Sequence, residues 1–392
     1  MSSWKECKLG DIVSSNNKSI DKTYEFKNIQ YLDTGSLTNN KIDGFQEFKI
    51  SDAPSRAKRL VKHQDIVYST VRPIQRHFGF IENPQENLVV STGFSVIETN
   101  QKLACPKFIY YFLSSDETVE ILDVIAEAST SAYPSLKPSD IENLDISLPL
   151  LEEQKAIAEV LSSLDDKIDL LHRQNQTLES LAQTLFRQWF IEEAKEEWEE
   201  VLITDLFEVR DGTHDSPKQK EFGKKLLTSK HILKNKLDFE SSYFISEEDF
   251  EKINQRSIVE QGDILFSMIG TIGLTYLEQS NEIDYAIKNI GLFKTSQNKK
   301  FMYFVYLWLN SSFGVEFIHE NRSGSTQEYI SLGSLRNIIF NLPNYEIIDL
   351  FNEKIEPIFE KINTNIKQIK SLENLRDTLL PKLLSGEIRV KI

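Results

Sequence analysis

PLLEEQKAIAEVLSSLDDKIDLLHRQNQTLESLAQTLFRQWF, Pro149 to Phe190, decides the fold. Ile157, Leu164, Leu171, Leu178 and Leu185 recur every seven residues, and Leu161, Ile168, Asn175, Ala182 and Trp189 follow them four residues on. Two interleaved series of this kind are the seam of a coiled coil. No Gly or Pro falls between Leu150 and Phe190, so the spacing predicts one long helix. A seam needs a partner.

The chain supplies one 194 residues downstream, from Pro343. There Phe351, Ile358, Asn365, Leu372 and Leu379 form one series, and Ile355, Ile362, Ile369, Arg376 and Leu383 the other. Each helix carries one seam asparagine, Asn175 and Asn365. A buried Asn costs stability but selects register and partner, and in an antiparallel pair these two would meet near the middle. The expected pairing residues are Leu164, Ile168, Leu171, Asn175, Leu178 and Leu185 on one helix, with Ile358, Ile362, Asn365, Ile369, Leu372 and Leu379 on the other. Pro357 stands where the first copy has Ser163; it predicts a kink, or a helix whose long part starts there.

The same spacing relates the flanking segments. WEEVLITDLFEV echoes WKECKLGDIV, and VEQGDILFSMIGTIGLTYLE aligns with VKHQDIVYSTVRPIQRHFGFIE, pairing Asp263 with Asp65. YAIKNIGLFKT echoes LVVSTGFSVIE, matching Gly291 to Gly93, and STQEYISLGSLRNIIFNLP echoes TSAYPSLKPSDIENLDISLP. The expected order is a mixed α/β domain at 1–149, a helix at 150–195, a second such domain at 196–343, and a helix with tail at 344–392. The fold class is α+β: two similar domains joined by two long antiparallel helices, with a pseudo-two-fold internal repeat. Within the first domain, Lys41 to Lys49 reads as a hairpin turning at Asp43-Gly44, and Ile141 to Leu148 as a final strand. Divergent loops on a duplicated scaffold suggest two sites doing one job on different targets.

Composition narrows the function. Two cysteines, Cys7 and Cys105, among 392 residues give neither a disulfide framework nor a zinc pattern. The start, MSSWKECKLG, lacks an apolar signal region, and Phe301 to Leu309 is too short to span a bilayer. A cytoplasmic protein without membrane contact is expected. No HExxH, GxSxG, CxxC or GxGxxG occurs, so recognisable hydrolytic, metal or nucleotide chemistry is missing. Asp211, His214 and Asp215 are close in sequence, but the first repeat has no counterpart; a loop anchor or DNA contact is expected there, with no metal.

The net charge is −15, so any nucleic-acid site must be a local patch. Arg56, Lys58, Arg59, Lys62, Arg72 and Arg76 share their stretch with one acid, Asp65. Lys218, Lys220, Lys224, Lys225, Lys230, Lys234 and Lys236 share theirs with Glu221. Hydrogen-bonding side chains lie among both: Thr70, Gln75 and His77 in the first, Thr213, His214, Gln219, Thr228, Ser229 and His231 in the second. Lys and Arg neutralise phosphates, while Arg, Gln, Asn and Lys read base edges. The candidate DNA-binding residues are Arg56, Lys58, Arg59, Thr70, Arg72, Gln75, Arg76, His77 and Tyr133 in the first domain. In the second they are Thr213, His214, Lys218, Lys220, Lys224, Lys225, Lys230 and Gln327.

These pieces resemble a known family. QGDILFSMIGTIG, HQDIVYSTVRP, STGFSVI, RDTLLPKLLSGEI and above all AYPSLKPSDIENLDISLPLLEEQKAIAEVLSSLDDKID are similar to the specificity subunit of type I restriction–modification systems, across essentially the whole chain. The resemblance implies two target recognition domains, each reading half of a bipartite double-stranded DNA sequence. It implies a noncatalytic chain that holds no cofactor, and helices that scaffold two methyltransferase subunits which use S-adenosylmethionine on adenine. A restriction endonuclease subunit can join such an assembly. Leu150, Leu151, Ala156, Val160, Tyr345, Ile347, Ile348 and Leu350, apolar near the helix starts, are candidates for docking a subunit or the adjacent domain. Two other readings stay open: an interaction scaffold or silent copy without DNA recognition, and an enzyme of unrecognised chemistry.

From Leu164 to Phe190 the helix would be roughly 40 Å long at about 1.5 Å per residue, and DNA advances about 34–36 Å per turn. The two half-sites are therefore expected about one turn apart, centre to centre. Inserting the same short helical segment into both helices should lengthen the gap in the methylated motif and leave each half unchanged. Motif mapping that finds altered half-sites would sink the ruler.

Overall fold

The first long helix runs from Leu151 to Arg187 and the second from Tyr345 to Leu384, in a computed structural model that describes residues 4–129, 134–324 and 327–391. Two compact units divide the chain, 1–170 with 369–392 and 171–368. Each holds one mixed domain and a stretch of both helices.

In the first unit, Gln154 explains where the first helix begins. Its side-chain oxygen accepts from the Cys105 backbone N–H at 2.8 Å, and its amide donates to the Pro149 carbonyl at 2.9 Å. Next to it, buried Glu153 takes the Arg389 guanidinium from the tail. Ile157 and Leu161 then enter a core with Phe108, Leu122, Ile146 and Leu383. Farther along, Asp165 receives both the Arg376 guanidinium at 3.0 Å and the Tyr111 hydroxyl at 2.7 Å. Arg376 interrupts the apolar seam, and this carboxylate is the reason it can.

The second unit is pinned by the other polar seam residues. Asn365, fully buried, donates to Asn175 Oδ1 at 2.8 Å and to Gln174 Oε1 at 2.9 Å. Toward the domain, Phe186 packs on Phe351 with ring centroids 6.3 Å apart. Partner numbers fall as the first helix rises, so the stretches run antiparallel, as expected. Leu178, Leu185, Ile358 and Ile362 join the core of this unit; Ile168, Leu171 and Ile369 are also buried, Leu164 and Leu372 half-buried, and Leu379 packs on the first unit's core.

Pro357 does not start the helix. Asn344 caps it, accepting the Ile347 N–H at 3.2 Å, and the helix continues past Pro357 to Leu384. Ile348, Phe351, Ile355, Phe359 and Ile362 are buried on either side. At about 1.5–3 kcal/mol each, they outweigh the roughly 3 kcal/mol that an internal proline costs.

The domains share a frame. In the first, strands Val13–Ser15, Phe94–Thr99, Ile66–Ser69 and Phe78–Phe80 form an antiparallel sheet in that order. The second domain repeats the order with Val209–Asp211, Ile290–Phe293, Ile264–Ser267 and Thr275–Leu277. A second sheet in each contains one parallel pair, Asn28–Leu32 with Leu88–Ser91 and Lys224–Thr228 with Tyr285–Lys288. The entering and leaving strands of each domain pair antiparallel, Lys5–Lys8 with Asp145–Leu148 and Glu199–Leu202 with Ile339–Leu342. Where the first domain adds strand Ala57–Leu60 beside Leu88–Ser91, the second has helix Glu247–Ser257, whose Ile253 packs with Leu226, Ile245 and Ala286. No helix among the described residues is long and apolar enough to cross a membrane.

Three local expectations are corrected. The hairpin turns at Asn39-Asn40, not Asp43-Gly44: Leu37 faces Ile42 and Thr38 faces Lys41. Both asparagines adopt left-handed φ, 46° and 63°, which a type I′ turn requires. Gln46–Lys49 instead pairs with Asn28–Leu32. Ile141 belongs to a short helix, Pro138–Glu142, so the final strand is only Asp145–Leu148. Finally, Phe94 faces Ser69 and Ile290 faces Ser267, so the residue matching Gly93 is Asn289, two before Gly291. Ladder register, not the glycine, sets the equivalence.

The asparagine pair generates a test. Asn365→Leu alone strands the Asn175 amide in the seam and should cost about 1–3 kcal/mol in urea unfolding. The double change Asn175→Leu with Asn365→Leu should recover most of that loss while weakening the preference for one register. A double variant as unstable as the single would contradict it.

Candidate nucleic-acid interface

In the first domain the described candidate residues lie at or within strand Ala57–Leu60 and just after strand Ile66–Ser69. Beside them lies a corner formed by Thr92-Gly93. The Arg56 carbonyl accepts the Thr92 N–H at 2.8 Å, and Thr70 donates through N–H (2.9 Å) and hydroxyl (3.0 Å) to the Gly93 carbonyl. A Cβ on Gly93 would come within 2.9 Å of Thr34 Cγ2, so a larger residue here would have to push Thr34 aside. Arg56, Lys58, Arg72 and Gln75 are exposed around this frame and Arg59 is half-buried. Arg76 is held by Asp116 at 2.6 Å. The His77 ring packs inward, Nδ1 lying 2.6 Å from the Leu37 carbonyl. Thr70, Arg76 and His77 thus build the loop, while Arg56, Lys58, Arg72 and Gln75 face outward. Tyr133 lies outside the described residues.

The second domain has the same corner made from different residues. Ser229 replaces Thr34 and donates to the Asn289 carbonyl at 2.5 Å. Asn289 has φ +52°. Gly212 passes so close that a Cβ would sit 2.4 Å from the Ile287 carbonyl oxygen, and Thr213 N–H donates to that same oxygen at 3.0 Å. His214 is clamped, Nε2 2.9 Å from Asp211 and Nδ1 2.8 Å from Asn289, and Arg256 also pairs with Asp211. His214 thus ties its loop to Asp211 and Asn289 while its side chain stays exposed, and Asp211 also answers to an arginine. No metal-binding cluster of three or more His, Cys, Asp or Glu occurs among the described residues.

The lysines of this domain are unequal. Lys224 is tied to Asp284, and Lys225 stacks 3.9 Å over the Phe244 ring while bonding the Ser242 carbonyl. Lys218, Lys220 and Lys230 are exposed. His231 is buried, accepts the Thr228 N–H at 2.8 Å, and burial lowers its pKa; it is a turn-maker. Gln327 is exposed just before Tyr329, which bridges Ile269, as Ser135 bridges Val71 in the first domain. Sequence reasoning missed Asn289 and Thr34, whose only signal is the strand register that brings them to the corners.

Near the helix starts, Ile348 is core and Val160 and Ile347 pack on the cores of their own units. Leu150, Tyr345 and Leu350 remain exposed, at 79%, 60% and 51%.

Residues 1–180 and 195–375 each match the family model described as the type I restriction modification DNA specificity domain. The chain is 27% identical to the type I restriction enzyme HindI specificity subunit of Haemophilus influenzae, over 99% of this chain and 100% of that one. It is 28% identical to the MjaIX specificity subunit of Methanocaldococcus jannaschii, over 80% and 76%. Among solved structures, the type I system S subunit of M. genitalium aligns over 97% and 96% of the two chains with a TM-score of 0.56 at 16% identity, a likeness of fold.

At the strand end opposite the first corner, the repeats use inverted charges. The Lys62 and Glu260 backbone N–H groups donate at 2.8 Å to Asp65 and Asp263. Across the sheet Lys62 pairs with Glu98, whereas Glu260 pairs with buried Lys294 at 2.7 Å. Lys294 also bonds Asp263. Among the described residues Asp65 has no such lysine contact, and burial pushes its pKa up to about 6. An acid whose folded pKa exceeds its unfolded one opposes folding once ionised, so this contribution destabilises the first unit as pH rises through roughly 4 to 6. Asp65→Asn keeps the turn acceptor and removes the titration. Urea unfolding of the full chain should show the variant gaining on the wild type across that window, by at most about 3 kcal/mol; parallel pH profiles would refute the assignment.

Proposed function

Because the chain belongs to the type I restriction–modification DNA specificity family, we propose that it reads a bipartite duplex target, residues 1–149 recognising one half and 196–343 the other. The observation that carries this reading is the corner built twice on one strand frame, in domains whose exposed cations come from unlike loops: Arg56, Lys58 and Arg72 in one, Lys218, Lys220 and Lys230 in the other. A common frame holds both domains to the same task, and unlike loops give them different sequences to read.

The chain works by binding, and the chemistry belongs to its partners. Relatives named as specificity subunits of type I restriction enzymes support assembly with methyltransferase subunits, two copies of which would suit a duplicated chain, and with a restriction subunit. Exposed Leu150, Tyr345 and Leu350 offer the helix starts as docking points. S-adenosylmethionine would then be bound by the methyltransferase and adenine methylated there. With a net charge of −15, the chain alone should bind DNA weakly and with strong salt dependence.

Methylation-sensitive long-read sequencing of host DNA, with the gene intact and deleted, tests the proposal. A split, asymmetric adenine-methylated motif should disappear on deletion. An unchanged methylome would favour a scaffold or silent copy.

A further inference from the structure

We propose that Arg72 reads a base edge in the first half-site, specifying sequence rather than neutralising a phosphate; this rests on the DNA-reading function above. Arg72 sits in the left-handed region, φ +48° and ψ +71°. The same loop position in the second domain is Gly270, at φ +80°. Glycine adopts that conformation freely, whereas a side chain there is unfavourable and persists only where the surroundings over-determine it. An arginine kept where its sister domain uses glycine points to a job for the side chain.

The loop is held rigid around it. Ser69 Oγ donates to the Val71 carbonyl at 3.1 Å, and the Arg72 N–H donates to the Pro134 carbonyl at 3.2 Å. Gln75 N–H closes back on the Arg72 carbonyl at 2.9 Å, Pro73 is buried, and Ile74 N–H is held by Asp123 on the neighbouring helix. Arg76 ends the loop in its ion pair with Asp116. Arg72, by contrast, is exposed and makes no ion pair among the described residues. A phosphate contact tolerates a flexible cation on an unstrained backbone, such as Lys58. Bidentate recognition of a guanine edge demands a fixed fork, and arginine provides it. Gln75, exposed beside it, has the matching chemistry for adenine. The second domain has Gly270 and Gly273 at the positions of Arg72 and Gln75, so it carries neither an arginine nor a glutamine there.

The test uses the full chain co-expressed with its methyltransferase subunits, as wild type, Arg72→Gly and Arg72→Lys. Glycine is native to this loop position in the sister domain, so the first variant should fold. Binding is measured to duplexes in which each base pair of the mapped target is replaced in turn. Wild type should discriminate at every specified position. Arg72→Gly should lose about tenfold or more discrimination at one position of one half-site, Arg72→Lys should lose less at that same position, and both should keep the other half intact. Uniform weakening of Arg72→Gly with discrimination retained at every position would make Arg72 a phosphate contact and overturn the inference, as would changes in both halves. A wild type that discriminates nowhere would instead defeat the DNA-reading function itself.

Discussion

A single buried hydrogen bond, Asn365 to Asn175, holds the register on which the second unit depends. An all-apolar seam gains burial in several registers one heptad apart, and only the polar pair distinguishes them, since any slip leaves two amides unpaired in an apolar layer. In the first unit, Arg376 and Asp165 play the corresponding part, with the Tyr111 hydroxyl joining the carboxylate to its own domain. Apolar burial supplies most of the stability of the helices. The few polar seam residues decide what faces what.

The domains answer to a different constraint. Each strand frame must bring three or four loops to one corner, and backbone crowding there admits few solutions. Gly93 and Gly212 allow close passage, and Asn289 takes the left-handed turn where the first domain has Gly93. Once the corner is set, side chains on its rim can vary without disturbing the core, which is how one frame accommodates unlike targets. The inverted charge pairs at the opposite end, Lys62–Glu98 and Glu260–Lys294, make the same point: the position calls for a pair, not for a particular sign. The difference has a consequence, because only the second domain's aspartate gains a buried lysine.

Much of the architecture was readable before any coordinates. The seven-residue series, the repeat at 194 residues, and the matched openings and closings of the two domains carry over directly into the helices and sheets. The misreadings have a common cause. The Asp43-Gly44 hairpin, the Gly291 match and the Pro357 helix start each relied on a strong local signal, and in each case pairing or burial among distant residues overrode it: the Asn39-Asn40 turn, the Ser267–Ile290 register, and the apolar side chains buried on both sides of the proline.

What the sequence determined by itself was therefore the periodic and the repeated: helix length, seam, duplication, and the stretches where cations gather. Those signals accumulate along the chain and need no knowledge of neighbours. Only the tertiary structure decided which cations are free. Lys224 and Lys225 are taken up by Asp284 and Phe244, Arg76 by Asp116, and His214 by Asp211 and Asn289, whereas Arg72 stands exposed on a rigid turn. Most of those partners lie tens of residues away, and an ion pair or a strand ladder depends on distance in space, to which spacing in the sequence gives no access.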